Sequence, residues 1–209
     1  MDLKKDLENA LQELRKNKER KFDQTVDLII NLQKFDIKRN SMNLVVSVPH
    51  KIKDKKIAGF LEVKNKNVET ITQDEFKKYS DKNKLKRLVN KFDFFVAQAS
   101  LMPKVATSFG RVLGPAGKMP TPQLGIIINA DDKTILELKK KVNNSVKIKT
   151  KESSIKLAVG KQSMKDEELI ENVINIYNAV LKELPKDKDN IKNLELKFTM
   201  TKPIKIQIR

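Results

Sequence analysis

Apolar residues recur along this chain with two periods, and the switches between them mark out its elements. Over residues 3–18, Leu3, Leu7, Ala10, Leu11 and Leu14 share one face of a helix whose other face is charged, and Asp2 stands where a cap belongs. From Thr25 the period becomes two. Val26, Leu28, Ile30 and Leu32 point one way and Thr25, Asp27, Ile29 and Asn31 the other, a strand with one buried face. Arg39-Asn40-Ser41 predicts a turn, residues 44–48 a second strand stopped by Pro49, and residues 57–63 a third. Residues 73–91 predict a basic helix with Leu85, Leu88 and Val89 inside. Residues 92–97 are almost continuously apolar, as a strand covered on both faces would be. Helices follow around 103–113 and from Asp131-Asp132 to Lys141, then strands over 146–150 and 155–159. A helix over 166–184 stops before Pro185, and strands over 194–200 and 204–208 close the chain.

This order predicts an α/β protein of two domains. Neither terminal piece has enough strands to stand alone. Residues 1–53 and 154–209 are therefore expected to share one α+β sheet, with 54–153 inserted as an α/β domain. Connectors near 52–55 and 151–154 would form a double hinge.

Charge changes the picture most. Lys and Arg number 44 against 27 Asp and Glu, a net +17 spread along 209 residues. Such a surface suits a polyanion, with nucleic acid ahead of an anionic membrane. No apolar run approaches the roughly 18 residues of a spanning helix, and residues 1–6 contain no apolar signal region, so no membrane association is expected. The absence of cysteine fits a reducing, cytoplasmic setting and excludes thiolate metal sites; the Asn143-Asn144-Ser145 sequon then carries little weight. The single histidine, His50, reads as a strand-end residue, since one His makes neither a triad nor a multi-histidine metal site. No metal and no cofactor are expected.

Four of the six glycines and four of the seven prolines lie in residues 101–125. A Walker phosphate loop would need Gly at position 112 and a hydroxyl at 119, where Val112 and Met119 stand. Gly114-Pro115-Ala116-Gly117 fits the short GxxG pattern of KH domains without matching flanks. A rigid turn closing the inserted domain accounts for the stretch better. Asp131-Asp132 reads as a helix cap rather than an acid–base pair. Phe22-Asp23-Gln24-Thr25 and Thr199-Met200-Thr201 sit at strand ends. Hydroxyls, a methionine and an aromatic ring there would read 2′-hydroxyls and sugar edges of RNA, or would simply pack those ends.

The stretch Met102-Pro103-Lys104 through Gly110-Arg111-Val112-Leu113-Gly114-Pro115-Ala116-Gly117-Lys118-Met119-Pro120 closely resembles the signature of the ribosomal protein L-one family, which builds the mobile stalk beside the tRNA exit site. Lys21-Phe22-Asp23-Gln24-Thr25-Val26, Ser47-Val48-Pro49-His50, Ala158-Val159-Gly160-Lys161 and Thr199-Met200 stand where that family has like segments. The resemblance implies a discontinuous α+β first domain with an inserted Rossmann-like, three-layer α/β second domain, in a large-subunit ribosomal protein that is not an enzyme and is monomeric when free. It implies binding to the stalk region of large-subunit rRNA, help in releasing deacylated tRNA from the exit site, and repression of its own operon mRNA through a similar structure in the leader. Carried onto matching positions, the RNA grip falls on Lys21, Phe22, Thr25, Thr199, Met200 and Thr201, with Arg111 and Lys118 as auxiliary RNA or tRNA contacts. Thr201 replaces a glycine typical of bacterial members, which leans the chain towards the archaeal branch and places a Cβ where that glycine allows close approach.

The competing classes are a nucleotide-dependent enzyme built on the inserted domain and a regulator of mRNA alone. Nucleotide affinity would favour the first; absence from sedimenting ribosomes would favour the second.

Overall fold

A computed structural model describes residues 3–206 except 19, 37–39, 41, 80, 123 and 151. Asp2, Arg39, Ser41 and Ile208 therefore lie outside the described residues. In chain order the regular elements are α1 (Leu3–Arg15), β1 (Thr25–Leu32), β2 (Asn43–Ser47), β3 (Ile57–Phe60), β4 (Glu69–Ile71), α2 (Lys82–Lys91), β5 (Phe94–Gln98), α3 (Met102–Leu113), β6 (Ile126–Ile127) and α4 (Asp132–Asn143). Then come β7 (Ser145–Lys149), β8 (Ser154–Lys161), α5 (Asp166–Glu183), β9 (Ile191–Phe198) and β10 (Ile204–Ile206). Short 3₁₀ turns cover Gln73–Tyr79, Ala99–Leu101 and Asp187–Asn190.

The chain packs as two units: residues 1–53 with 144–209, and residues 54–143. In the first, β1 lies between β8 and β9, and β10 completes an antiparallel sheet of order β10-β9-β1-β8. The alternation along β1 is realised: Val26, Leu28 and Ile30 are fully buried and Leu32 nearly so. They meet Leu7, Leu11 and Leu14 of α1 and Leu169, Val173, Ile176 and Val180 of α5 in one core. At roughly 25 cal/mol per Å2 of apolar surface, burying such side chains is the main favourable term for this sheet.

Two expectations change here. β2 does not join the four-stranded sheet; it pairs antiparallel with β7, from Asn43 opposite Lys149 to Ser47 opposite Ser145. Residues 144–153, expected in the inserted domain, thus belong to the first unit, and the chain crosses between units at 53/54 and 143/144 rather than near 154. The expected second connector lies inside the first unit. His50 sits just past Pro49. Its Nε2 is 2.7 Å from Glu171 Oε2, and its backbone N–H and C=O are both held by the Asn172 side chain, so it ties the strand end to α5.

The second unit is a parallel sheet of order β4-β3-β5-β6. Phe60 and Phe95 face α2 and α3 on one side. Ile57, Leu61 and Val96 face Ile135 and Val142 of α4 on the other. Burial on both faces explains the unbroken apolar run along β5. The helix expected over 73–91 is two elements. A 3₁₀ turn ends at Tyr79, and α2 restarts after Asp81, whose extended backbone and side-chain bond to the Asn83 N–H make it the N-cap. Asp131 stands just before α4, where its carbonyl accepts from the Ile135 N–H at 3.0 Å, while Asp132 opens the helix and its Oδ1 accepts from the Asn65 and Asn67 amides.

The Gly- and Pro-rich stretch supplies α3 and the turns after it. Phe109 is buried against Phe60, with ring centroids 4.9 Å apart. Gly117 has φ +69°, and its N–H bonds to the Gly114 carbonyl. A Cβ on Gly125 would lie 2.9 Å from Pro120 Cα, 3.0 Å from Thr121 N and 3.1 Å from Phe95 O, all backbone atoms that cannot step aside. At Gly110, inside α3, a Cβ would meet nothing within 4 Å. G125A is therefore expected to lower unfolding stability by about 1–3 kcal/mol. G110A should raise it by about 0.5–1 kcal/mol. Urea titrations of the two variants beside the parent check both signs.

Candidate nucleic-acid interface

In an antiparallel sheet the start of β1 and the ends of β8 and β9 fall at the same edge. There the backbone ladder is continued by side chains. The Thr25 N–H donates to Thr199 Oγ1 at 3.1 Å, and the Thr199 N–H donates to the Thr25 carbonyl at 3.1 Å. The Gln24 side chain is 2% exposed. Its Oε1 accepts from the Met200 N–H at 3.1 Å, and its Nε2 donates to Gln162 Oε1 at 3.1 Å. A buried amide satisfied on both sides fixes the turn that follows β9. Thr201 folds back on the same turn: its Oγ1 accepts from the Phe198 N–H at 2.9 Å.

This scaffold holds two apolar side chains in solvent. Phe22 is 52% and Met200 58% exposed, against full burial for Phe60, Phe95 and Phe198. Phe22 borders an open depression of about 430 Å3 lined by Arg15, Arg20, Lys21, Asp23, Gln162 and Ser163. Lys21 and Arg20 are exposed. The loop after β8 forms its far wall and is tied down twice. The Asp23 carboxylate accepts from the Ser163 N–H and Oγ, at 3.1 and 3.0 Å. The Arg15 guanidinium donates to Asp166 Oδ1 at 2.6 Å and to the Gln162 and Met164 carbonyls. Lys161 Nζ reaches Thr25 Oγ1 at 3.4 Å. Next along β1, burial raises the Asp27 carboxyl above its usual value, and Lys197, opposite it on β9, opposes the shift.

The structure therefore brings Phe22, Thr25, Thr199, Met200 and Thr201 to one sheet end, with Lys21 at its margin. Gln162 and Ser163 complete the place and were not singled out from sequence. Asp23, Gln24 and Lys161 lay in the segments Phe22-Asp23-Gln24-Thr25 and Ala158-Val159-Gly160-Lys161 without being assigned to the grip. Nothing local showed that Gln24 would be buried, because its partners come from other strands. Arg111 and Lys118 are in the second unit. Arg111 is exposed on α3. Lys118 is half-buried, and its ammonium donates to the Val89 and Phe92 carbonyls at 2.7 and 2.8 Å, where α2 ends. A cation at that helix end satisfies leftover carbonyls and the dipole, which gives Lys118 a structural use.

Among the described residues, no group of three or more His, Asp or Glu is arranged to hold a metal ion, and no helix is long and apolar enough to cross a membrane. Two exposed apolar side chains at a hydrogen-bonded sheet end, with exposed Arg20 and Lys21 beside Phe22, fit a shaped polyanion.

The chain is 31% identical to the large ribosomal subunit protein uL1 of Nanoarchaeum equitans (strain Kin4-M), over 95% of this chain and 98% of that one. It is 37% identical to the protein of the same name from Methanococcus voltae, over 92% and 93% of the two chains. Methanothermococcus thermolithotrophicus has another at 37%, over 91% and 92%. All three carry the name of a large ribosomal subunit protein. The sequence profile of the Ribosomal protein L1p/L10e family matches residues 14–202, so the chain belongs to that family.

Proposed function

We propose that this protein is a structural component of the large ribosomal subunit that grips the stalk region of its rRNA through the first unit, at the end of the sheet where β1, β8 and β9 meet. It would work in the cytoplasm, on the ribosome. Binding of large-subunit rRNA is general for the family. The observation that supports this location is the exposure of Phe22 and Met200 on a backbone held by Gln24, Thr25 and Thr199. Exposed apolar surface rimmed by polar residues is a common mark of an interaction site. Lys21 and Arg20 supply salt-dependent attraction, and the apolar and hydroxyl groups fit sugar edges. The Thr201 hydroxyl is engaged by its own turn, so this residue contributes shape more than a polar contact.

The finer roles extend from the same grip. Held on the stalk, the protein would contact deacylated tRNA at the exit site and help it leave, with Arg111 on α3 as an auxiliary contact. A leader in its own mRNA that copies the stalk structure would occupy the same sheet end, so repression and ribosome binding would be mutually exclusive.

F22A and M200A should each weaken binding to a stalk rRNA fragment by about 1–3 kcal/mol while leaving the salt slope nearly unchanged. K21Q should lower that slope by about one. Filter binding at several salt concentrations measures all three, and parental affinity in both F22A and M200A would sink this location. A chain with residues 54–143 removed and Lys53 joined to Asn144 should still fold and bind the fragment; a folded but inert product would move the grip to the second unit. Competition between stalk rRNA and an mRNA leader for the parent chain tests the shared site: simultaneous binding of both contradicts it.

A further inference from the structure

We propose that the outer face of α2 and α3 in the second unit is a separate, sequence-independent binding surface for the backbone of double-stranded RNA. This rests on the RNA-binding reading above and adds to it a surface that shares no residue with the sheet-end site.

Of the five α-helices, α2 and α3 are the two without a single Asp or Glu. By contrast α5 carries five carboxylates against one cation, Lys182. The gap is wide, since no acidic residue occurs anywhere from Phe94 through Ala130. Both helices pack on the same side of the parallel sheet, so their outer faces form one layer. On α2, Lys84, Lys86 and Arg87 are exposed, and among the described residues no ion pair or hydrogen bond engages their side chains. On α3, Lys104 and Arg111 are exposed two turns apart, with exposed Thr107 and Ser108 between them. Lys104 Nζ contacts only the neutral Gln73 amide, at 2.9 Å, which leaves its charge uncompensated. Gly110, beside Arg111, leaves open space where any other residue would carry a Cβ.

The fold gains little from this arrangement. Cations in the first turns of α2 oppose its dipole, which only the Asp81 cap offsets. Lys84 with Arg87 places like charges at neighbouring helical spacing, whereas Lys91, the next cation along, is already paired with Glu69 at 2.6 Å. An anionic partner removes both penalties. The chemistry of the face selects which one. The exposed large apolar side chains are Phe22, Val63, Ile128, Leu136 and Met200, none of them on α2 or α3. There is no platform for stacking unpaired bases and no apolar wedge for a lipid surface. Cations flanking hydroxyls and an open backbone match phosphates and 2′-hydroxyls across the groove of paired RNA.

The test uses the full chain, a generic RNA duplex of about 20 base pairs, the stalk rRNA fragment and anionic lipid vesicles. K84Q/K86Q/R87Q, verified as folded by its thermal melt, should bind the duplex at least about tenfold more weakly and lose roughly two from the salt slope. Its affinity for the stalk fragment should stay within about twofold of the parent. M200A should do the reverse. Parental duplex binding by the triple variant, or no duplex binding by the parent at low salt, overturns the proposal. So does equal loss of duplex and stalk fragment, or a variant that loses vesicles and keeps the duplex. Parental stalk affinity in both F22A and M200A would overturn the sheet-end site alone and leave this surface standing.

Discussion

The central strand β1 is hydrogen-bonded along both edges to segments that follow it by more than a hundred residues, with Thr25 opposite Lys161 and Val26 opposite Phe198. The first unit depends on this double pairing. It sets which side chains of β1 face α1 and α5 and which face water. It also brings the turn after β9 and the loop after β8 to the start of β1. No stretch of sequence contains the sheet-end surface; register creates it. A slip of one residue would turn Val26, Leu28 and Ile30 outward, and their complete burial makes such a slip very unfavourable.

Within that frame, charge and shape are separated. Lysines cover much of the molecule and attract any polyanion. At the sheet end a few neutral groups are held with little freedom: Gln24 pins Met200, Thr199 pins Thr25, and Asp23 pins Ser163. These bonds sit where polar groups are partly shielded, so leaving one unmade would be costly. Met200 can stay exposed because the Gln24 amide fixes its backbone, and Phe22 stays exposed two residues ahead of Gln24 on the segment that leads into β1.

Much of this was legible in advance. The alternation along β1, the apolar stripes of α1 and α5 and the unbroken run along β5 are direct prints of burial, and each appears as an element where the pattern put it. The strands β4 and β6, of three and two residues, were invisible because no period can be seen in so few positions. The β2–β7 pair was misplaced because pairing across about a hundred residues is a tertiary choice that local pattern does not encode. The split at Asp81 was missed because its flanks share the helical period, and only the cap geometry breaks them apart. At the site, Phe22, Thr25, Thr199 and Met200 stood out as side chains unusual for strand ends. Gln24 did not, since its role exists only once Gln162 and the Met200 backbone arrive. At Lys118 local pattern is silent in another way: its ammonium closes the end of α2, a use that exists only once the Val89 and Phe92 carbonyls are in place.

The discontinuity of the first unit also orders events during synthesis. β1 emerges early with both edges open and its apolar face uncovered, and its first neighbour in the sheet, β8, lies roughly 120 residues later. At about 5–20 residues per second that is a wait on the order of ten seconds. Meanwhile residues 54–143, whose parallel sheet uses only their own strands, are free to fold. The surface around Phe22 and Met200 cannot exist until β9 and its turn have been made. Formation of that surface thus waits for synthesis through Thr201, and a chain interrupted before β9, however intact its middle, cannot present it.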